Sequence, residues 1–240
     1  KVYDIPQITI VEVMGRNAGW LTAASSLATY KGLGPDLIYL PEVAFDIEKF
    51  VTDVKSVIEK TGKCIVALSE GVKTREGIYV AEAINQGSQM KDSFGHAQLG
   101  GVASSLAQLL RNRFGTKVRA IEFSLMQRCA AHLASKTDVE EAFMAGVMAV
   151  KYAVEGNDDK IVVFERQKGD AYKIDYKLMD ISLAANTEKT VPLKWITNNG
   201  TGLSQEFIDY ALPLIQGETK APNEDGLPRM AKLKKVLVNK

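Results

Sequence analysis

Residues 8–13, Ile-Thr-Ile-Val-Glu-Val, are β-branched and apolar but for one glutamate. They empty through Met14-Gly15-Arg16-Asn17-Ala18-Gly19 into small and apolar residues at 20–30. The first run has the make-up of a short buried strand, and the second that of a helix entered through a glycine turn. A strand that feeds a helix so directly must lay that helix back on its own sheet, which brings the next strand in parallel. The pattern then repeats. Lys31-Gly32-Leu33-Gly34-Pro35 ends the helix, and Leu37-Ile38-Tyr39-Leu40 is a second strand stopped by Pro41. Ile47, Phe50, Val51, Val54, Val57 and Ile58 fall at helical spacing up to Gly62, and residues 64–68 form a third strand ending at Ser69-Glu70-Gly71. Strand, helix, strand, helix, strand is the order of an α/β fold with a parallel sheet flanked by helices.

Beyond this point the texture is more varied. Residues 73–98 are polar, rich in Gly and Ser, and read as partly loop. Gly100-Gly101 introduces a helix with Val102, Leu106, Leu109, Leu110 and Phe114 on one side, and residues 117–123 form a fourth strand. Thr137-x-x-Glu140 has the form of a capping box, and the helix it opens would bury Val139, Phe143, Val147, Val150 and Val154. Residues 161–166 and 172–176 flank Gln167-Lys168-Gly169-Asp170-Ala171, as in an antiparallel hairpin. A short helix at 205–212 precedes a tail with Lys232, Lys234, Lys235 and Lys240, which reads either as a solvated end or as a contact with a neighbouring subunit.

Charge and cysteine content narrow the function classes. Thirty basic residues against 29 acidic ones leave a formal charge of +1 in 240 residues, a balance that gives no general reason to expect nucleic acid or an anionic membrane, since both call for a concentrated basic surface. Cys64 and Cys129 are far apart and outside any C-x-x-C pattern, which argues against a disulfide framework and for a reducing cytoplasm. Apolar runs stay short of the ~18 residues a membrane span needs, and the residues given show no charged-then-apolar pattern of a signal peptide, so neither is expected. The chain opens on Lys1 rather than methionine and enters a strand almost at once, as expected of a piece of a longer protein.

Several residues have chemistry to offer. Gly15-x-x-x-Gly19 brings backbone N–H groups to the carboxyl edge of the sheet, where ligands of open α/β sheets bind, and Arg16 adds a planar cation suited to phosphate. This is neither G-x-G-x-x-G nor a P-loop, and taken alone it reads better as an ordinary glycine-eased turn with a solvated arginine. Glu70, directly after the third strand, can accept hydrogen bonds from sugar hydroxyls. Because the first and third strands are parallel, Arg16 and Glu70 open onto one edge. Arg119 and Arg128 flank the fourth strand's exit, where two guanidiniums would suit a phosphomonoester, although their spacing also fits surface arginines. His96 and His132 have no second ligand at metal spacing, so no metal site is expected on them. Cys129 reads as a packed small hydrophobe, and Trp20 and Trp195 as packing residues.

Met14-Gly15-Arg16-Asn17-Ala18-Gly19-Trp20 resembles the fructose 6-phosphate-binding segment of the phosphofructokinase family. Pro41-Glu42, Ser69-Glu70-Gly71 and Arg119 with Gln127-Arg128 follow in the family's order. Ala184-Ala185-Asn186, Val191-Pro192 with Trp195, and Tyr210 through Gly217-Glu218 are similar to the pyrophosphate-using branch. The resemblance implies that Met14 and Gly15 shape a sugar pocket, that Arg16 sets positive charge near the reacting end, and that Glu70 accepts from sugar hydroxyls. It further implies that Arg128 binds substrate within its own subunit, while Arg119 reaches the 6-phosphate of a neighbour's site, so the protein would be a homo-oligomer, dimer or tetramer. Gln7 stands where the family often has an arginine, and Leu125-Met126-Gln127-Arg128-Cys129 departs from the stretch of ATP-dependent bacterial members.

By the same resemblance, residues 1–127 form a sugar-phosphate-binding domain. Residues 128–240 form a C-terminal part whose long helix returns toward an N-terminal domain absent from this sequence. That domain would hold the glycine-rich donor site and the Thr-Ile-Asp motif whose Asp is the base. The activity implied is transfer of a phosphoryl group from pyrophosphate, with Mg2+, to the 1-hydroxyl of fructose 6-phosphate, a step of glycolysis. The alternatives are the same reaction with ATP and a non-catalytic sugar-phosphate-binding regulatory subunit. The Mg2+ would be held mainly by the phosphoryl donor and the missing domain, and these 240 residues alone are expected to be inactive.

Overall fold

The computed structural model describes residues 6–85, 101–169, 171–232 and 234–237; residues 86–100, His96 and Gly100 among them, Asp170 of the expected hairpin loop and Lys240 of the tail lie outside these. Four strands make one parallel sheet: β1 (Gln7–Val13), β2 (Leu37–Tyr39), β3 (Lys63–Ser69) and β4 (Lys117–Glu122), in the order β2-β3-β1-β4. Helices α1 (Trp20–Ala24), α2 (Ile47–Thr61), α3 (Val80–Asn85) and α4 (Val102–Phe114) connect them.

Side-chain alternation along the strands splits the interior into two cores. Ile8 and Ile10 of β1, Leu37 and Tyr39 of β2, and Cys64, Val66 and Leu68 of β3 point to one face, where Phe50 and Val54 of α2 and Leu106 and Leu110 of α4 cover them. Ile38 and Ala67, one residue out of step, join Leu40 on the opposite face. There they meet Ala23 and Leu27 and, from α8 (Gln205–Ala211), Phe207, Ile208 and Ala211. Local chemistry fixes the ends of α2: the Asp46 carboxylate accepts the Lys49 N–H at 2.9 Å, and Gly62 donates its own N–H back to Ile58 O at 2.8 Å.

Past the sheet come α5 (Met126–Cys129), α6 (Lys136–Val154), an antiparallel pair β5 (Lys160–Arg166) and β6 (Ile174–Asp180), and α7 (Ile181–Ala184). The structure departs from the sequence expectation here in several ways. The helix expected over residues 20–30 is a true α-helix for five residues only and continues as a 3-10 helix, Ser25–Lys31. Ser25 Oγ donates to Thr22 O at 2.6 Å and Thr29 Oγ to Ser26 O, so side-chain hydroxyls compete for carbonyls that a regular helix would use. The cap of α6 is Ser135, whose Oγ accepts the Asp138 N–H at 3.1 Å; Thr137 lies inside the helix and does not form the expected box with Glu140. The N–H groups of Lys136 and Thr137 donate to Gly217 O and Gln216 O, which pins the helix start two residues earlier.

The expected buried stripe of α6 is exposed, with Phe143 at 70% and Val154 at 82%. Nothing among the described residues covers it, and between Val118 and Val191 no described hydrophobic side chain is buried. Cys129 is exposed rather than packed, because α5 is a single turn lying outside both cores.

Candidate anion-binding site at the carboxyl edge of the sheet

β1 and β3 run side by side with Val13 opposite Ser69, so the segments that follow them meet. The Gly15 N–H donates to Glu70 Oε1 at 3.2 Å, the Glu70 N–H to Val13 O at 3.0 Å, and the Gly71 N–H to Gly15 O at 3.1 Å. The Ser69 hydroxyl donates to the same Gly15 carbonyl at 2.5 Å. This approach needs position 71 to lack a side chain: a Cβ there would sit 1.8 Å from the Arg16 carbonyl oxygen. On the other flank, Gln127 at the start of α5 accepts the Met14 N–H at 2.8 Å.

Met14, Gly15, Arg16 and Glu70 thus come together as expected, and Gln127 brings Arg128 to the same edge. The pairing of Glu70 with Gly15 occupies Oε1 and leaves the other oxygen for a ligand hydroxyl. The N–H groups of Met14, Gly15 and Gly19 are already taken by side-chain oxygens. Among the described residues the N–H groups of Arg16, Asn17 and Ala18 are not so taken, and they stand beside the guanidiniums as groups able to meet an anion. Arg16 and Arg128 have no carboxylate partner among the described residues.

Arg119 is not at the strand exit. It faces Thr9 in the middle of β4, four residues before the level of Val13, which places it about 13 Å down the strand. β4 is an outer strand of the four, and Arg119 is exposed on it.

Three further polar residues with bonds near this edge carry no role in the sequence reading. Gln127 is one. Glu42 is the second: its Oε1 accepts from both Gly19 N–H, at 2.9 Å, and Val191 N–H, at 2.8 Å. The third is Glu12, only 5% exposed, on the same face of β1 as Ile8 and Ile10. Its Oε2 accepts the Ala103 N–H at 2.9 Å in the first turn of α4. Burial pushes its carboxyl up to about 7, and the nearby charges of Glu122 and Glu70 add to the rise. The signal was legible in the alternation Ile8, Ile10, Glu12, which aims that carboxylate inward.

Among the described residues, no three His, Cys, Asp or Glu side chains converge as metal ligands. No described helix is long and apolar enough to cross a membrane.

Residues 5–122 match the family model described as phosphofructokinase. A pyrophosphate–fructose 6-phosphate 1-phosphotransferase from Xanthomonas campestris pv. campestris is 42% identical over 98% of this chain and 56% of its own length. A sulfofructose kinase from Alkalicoccus urumqiensis is 30% identical over 91% of the chain and 55% of its length. The crystal structure of a pyrophosphate-dependent phosphofructokinase from Marinobacter aquaeolei superposes with a TM-score of 0.82 at 37% identity, covering 98% of this chain and 55% of that one. The chain spans about half the length of the curated relatives it matches.

Proposed function

The chain belongs to the phosphofructokinase family, and from that premise we propose that it forms the acceptor half of a pyrophosphate-dependent 6-phosphofructokinase site. The observation that carries this reading is the convergence of Arg16, Glu70 and, through Gln127, Arg128 on one edge of the sheet. Glu70 would accept from sugar hydroxyls with its free oxygen, Met14 and Gly15 would wall the sugar, and Arg128 would hold substrate charge. Arg16 would offset the charge that builds where the phosphoryl group arrives. An aspartate outside this chain would take the proton of the sugar 1-hydroxyl. The oxygen would then attack one phosphorus of pyrophosphate, releasing phosphate and leaving fructose 1,6-bisphosphate. The Mg2+ would sit on the diphosphate and on residues outside this chain. Arg119, exposed on an outer strand and far down from its own site, suits the role of reaching a neighbour's 6-phosphate in a homo-oligomer. The two free thiols fit a cytoplasmic enzyme.

Titration calorimetry tests the site. Fructose 6-phosphate is expected to bind, and Arg16→Ala and Arg128→Ala each to weaken it about tenfold or more. Binding unchanged in both variants would overturn the assignment. Sulfofructose provides a comparison, since its sulfonate carries one negative charge where a phosphate carries up to two. These 240 residues alone are expected to show no turnover of fructose 6-phosphate with pyrophosphate and Mg2+, and measurable turnover would refute that.

In this proposal residues 1–127 are the sugar-phosphate domain, and residues 128–240 include the surface that packs on the rest of the protein. The exposed stripe of α6 motivates the second part, because each such side chain gains ~1.5–3 kcal/mol on burial. Phe143→Glu in this chain is expected to raise solubility and to leave the melting temperature of the sheet within a few degrees. A large drop in melting temperature would mean that Phe143 already packs within the chain.

A further inference from the structure

The front and back of the glycine turn are held by different parts of the molecule. Residues 14–16 are fixed by the exit of β3 and by Gln127. Residues 17–20 are fixed by a segment 170 residues further along. Asn17 Nδ2–H donates to Glu188 Oε1 at 2.5 Å, and the Trp20 indole N–H donates to Lys189 O at 2.6 Å. Glu42 Oε1 bridges the N–H groups of Gly19 and Val191. Gly19 lies flat on this junction: a Cβ there would be 2.8 Å from Glu42 Oε2 and 2.8 Å from Pro41 Cδ. Val191 is fully buried in the second core with Phe207, so the strap is anchored at its far end. Trp20 continues the contact, with its ring centroid 6.2 Å from Trp195 and 5.5 Å from Tyr210.

We propose that Glu42 is a positioning residue, which ties residues 188–191 as a strap across the back of the turn and so fixes where Arg16 points. The physical case is that a half-buried carboxylate oxygen spends its hydrogen-bonding capacity on two backbone N–H groups from distant segments, one of which lies three residues from Arg16. Such charge-assisted bonds are among the stronger ones, and losing the acceptor strands both donors together. The strap couples the sugar-phosphate turn to α8 and the second core without touching ligand. The ligand part of this inference rests on the function proposed above; the mechanical part does not.

The experiment therefore has two readouts in the full-length protein, with Glu42→Ala, Glu42→Gln and, as a stability-matched control far from the turn, Val54→Ala. Amide hydrogen exchange needs no ligand. Glu42→Ala is expected to speed exchange about tenfold or more not only at Gly19 and Val191 but also at Arg16 and Asn17. Glu42→Gln, which keeps an oxygen able to accept both N–H groups, is expected to restore most of the protection. Faster exchange at Val191 alone, or equal acceleration at the turn in Val54→Ala, would overturn the strap. Calorimetry then reads fructose 6-phosphate binding, expected to weaken about tenfold in Glu42→Ala and to be unchanged in Val54→Ala. Equal weakening in both would reduce Glu42 to a structural residue. Failure of the parent protein to bind at all would refute the sugar-phosphate reading and leave exchange to decide the strap.

Discussion

Gly71→Ala is expected to destabilise the protein by roughly 3 kcal/mol or more and to weaken fructose 6-phosphate binding about a hundredfold. The reason is space. A Cβ at this position would lie 1.8 Å from Arg16 O, 2.4 Å from Arg16 C and 2.5 Å from Gly15 O, all of them backbone atoms that no rotamer change can move. Reaching even the 3.0 Å lower limit of real contacts requires the two chains to part by more than 1 Å. That separation breaks the Gly71 N–H to Gly15 O bond and lengthens the one from Gly15 N–H to Glu70, already 3.2 Å. Arg16 and Glu70 then no longer face a common ligand. Gly146→Ala supplies the contrast. Its Cβ meets nothing within 4 Å in the middle of α6, so alanine there is expected to stabilise by up to about 1 kcal/mol. Urea melts and calorimetry on both variants check the pair. A Gly71→Ala protein with parental binding would show that the turn and the β3 exit can move together.

The contrast between these two glycines also shows how far the sequence could be read. The strand–helix rhythm up to residue 69 was legible because two periodicities alternate there with glycine and proline between them, and the sheet came out parallel as expected. Gly71 itself was visible only as part of Ser69-Glu70-Gly71. Its φ is ordinary, and its need for glycine arises from a backbone 55 positions earlier, which no local pattern encodes. Glu42 and Val191, and Met14 and Gln127, are likewise pairings across 149 and 113 residues. The α6 stripe failed in the opposite way. Its helical period was read correctly, but amphipathicity says that a face wants cover, not that this chain contains the cover. Arg119 is the third residue of a strand that begins at Lys117, so its distance from the exit follows from the strand bounds alone, and the β1–β4 register adds that it faces Thr9.

Glu12 shows how a residue with no assigned role still shapes the protein's response to solution conditions. Its carboxyl, near the ordinary 4.5 in the unfolded chain, rises to about 7 on folding, chiefly through burial. Between those values the folded protein holds a proton that the unfolded chain has released. Stability is therefore expected to fall as pH rises through that window, by about 3 kcal/mol in all, and to level off above it. Glu12→Gln keeps an oxygen for the Ala103 N–H and removes the ionisation. The variant is thus expected to gain on the parent by about 2 kcal/mol between pH 5 and pH 8, measured by urea denaturation. The bond from Ala103 and the start of α4 work against the shift, since both favour the charged form, while Glu122 and Glu70 work with it. Burial wins because the site lies beneath α4 at the top of a strand whose other inward residues are isoleucines. Parallel stability profiles for parent and variant from pH 5 to pH 8 would show that water reaches this carboxylate and that the first turn of α4 does not seal it.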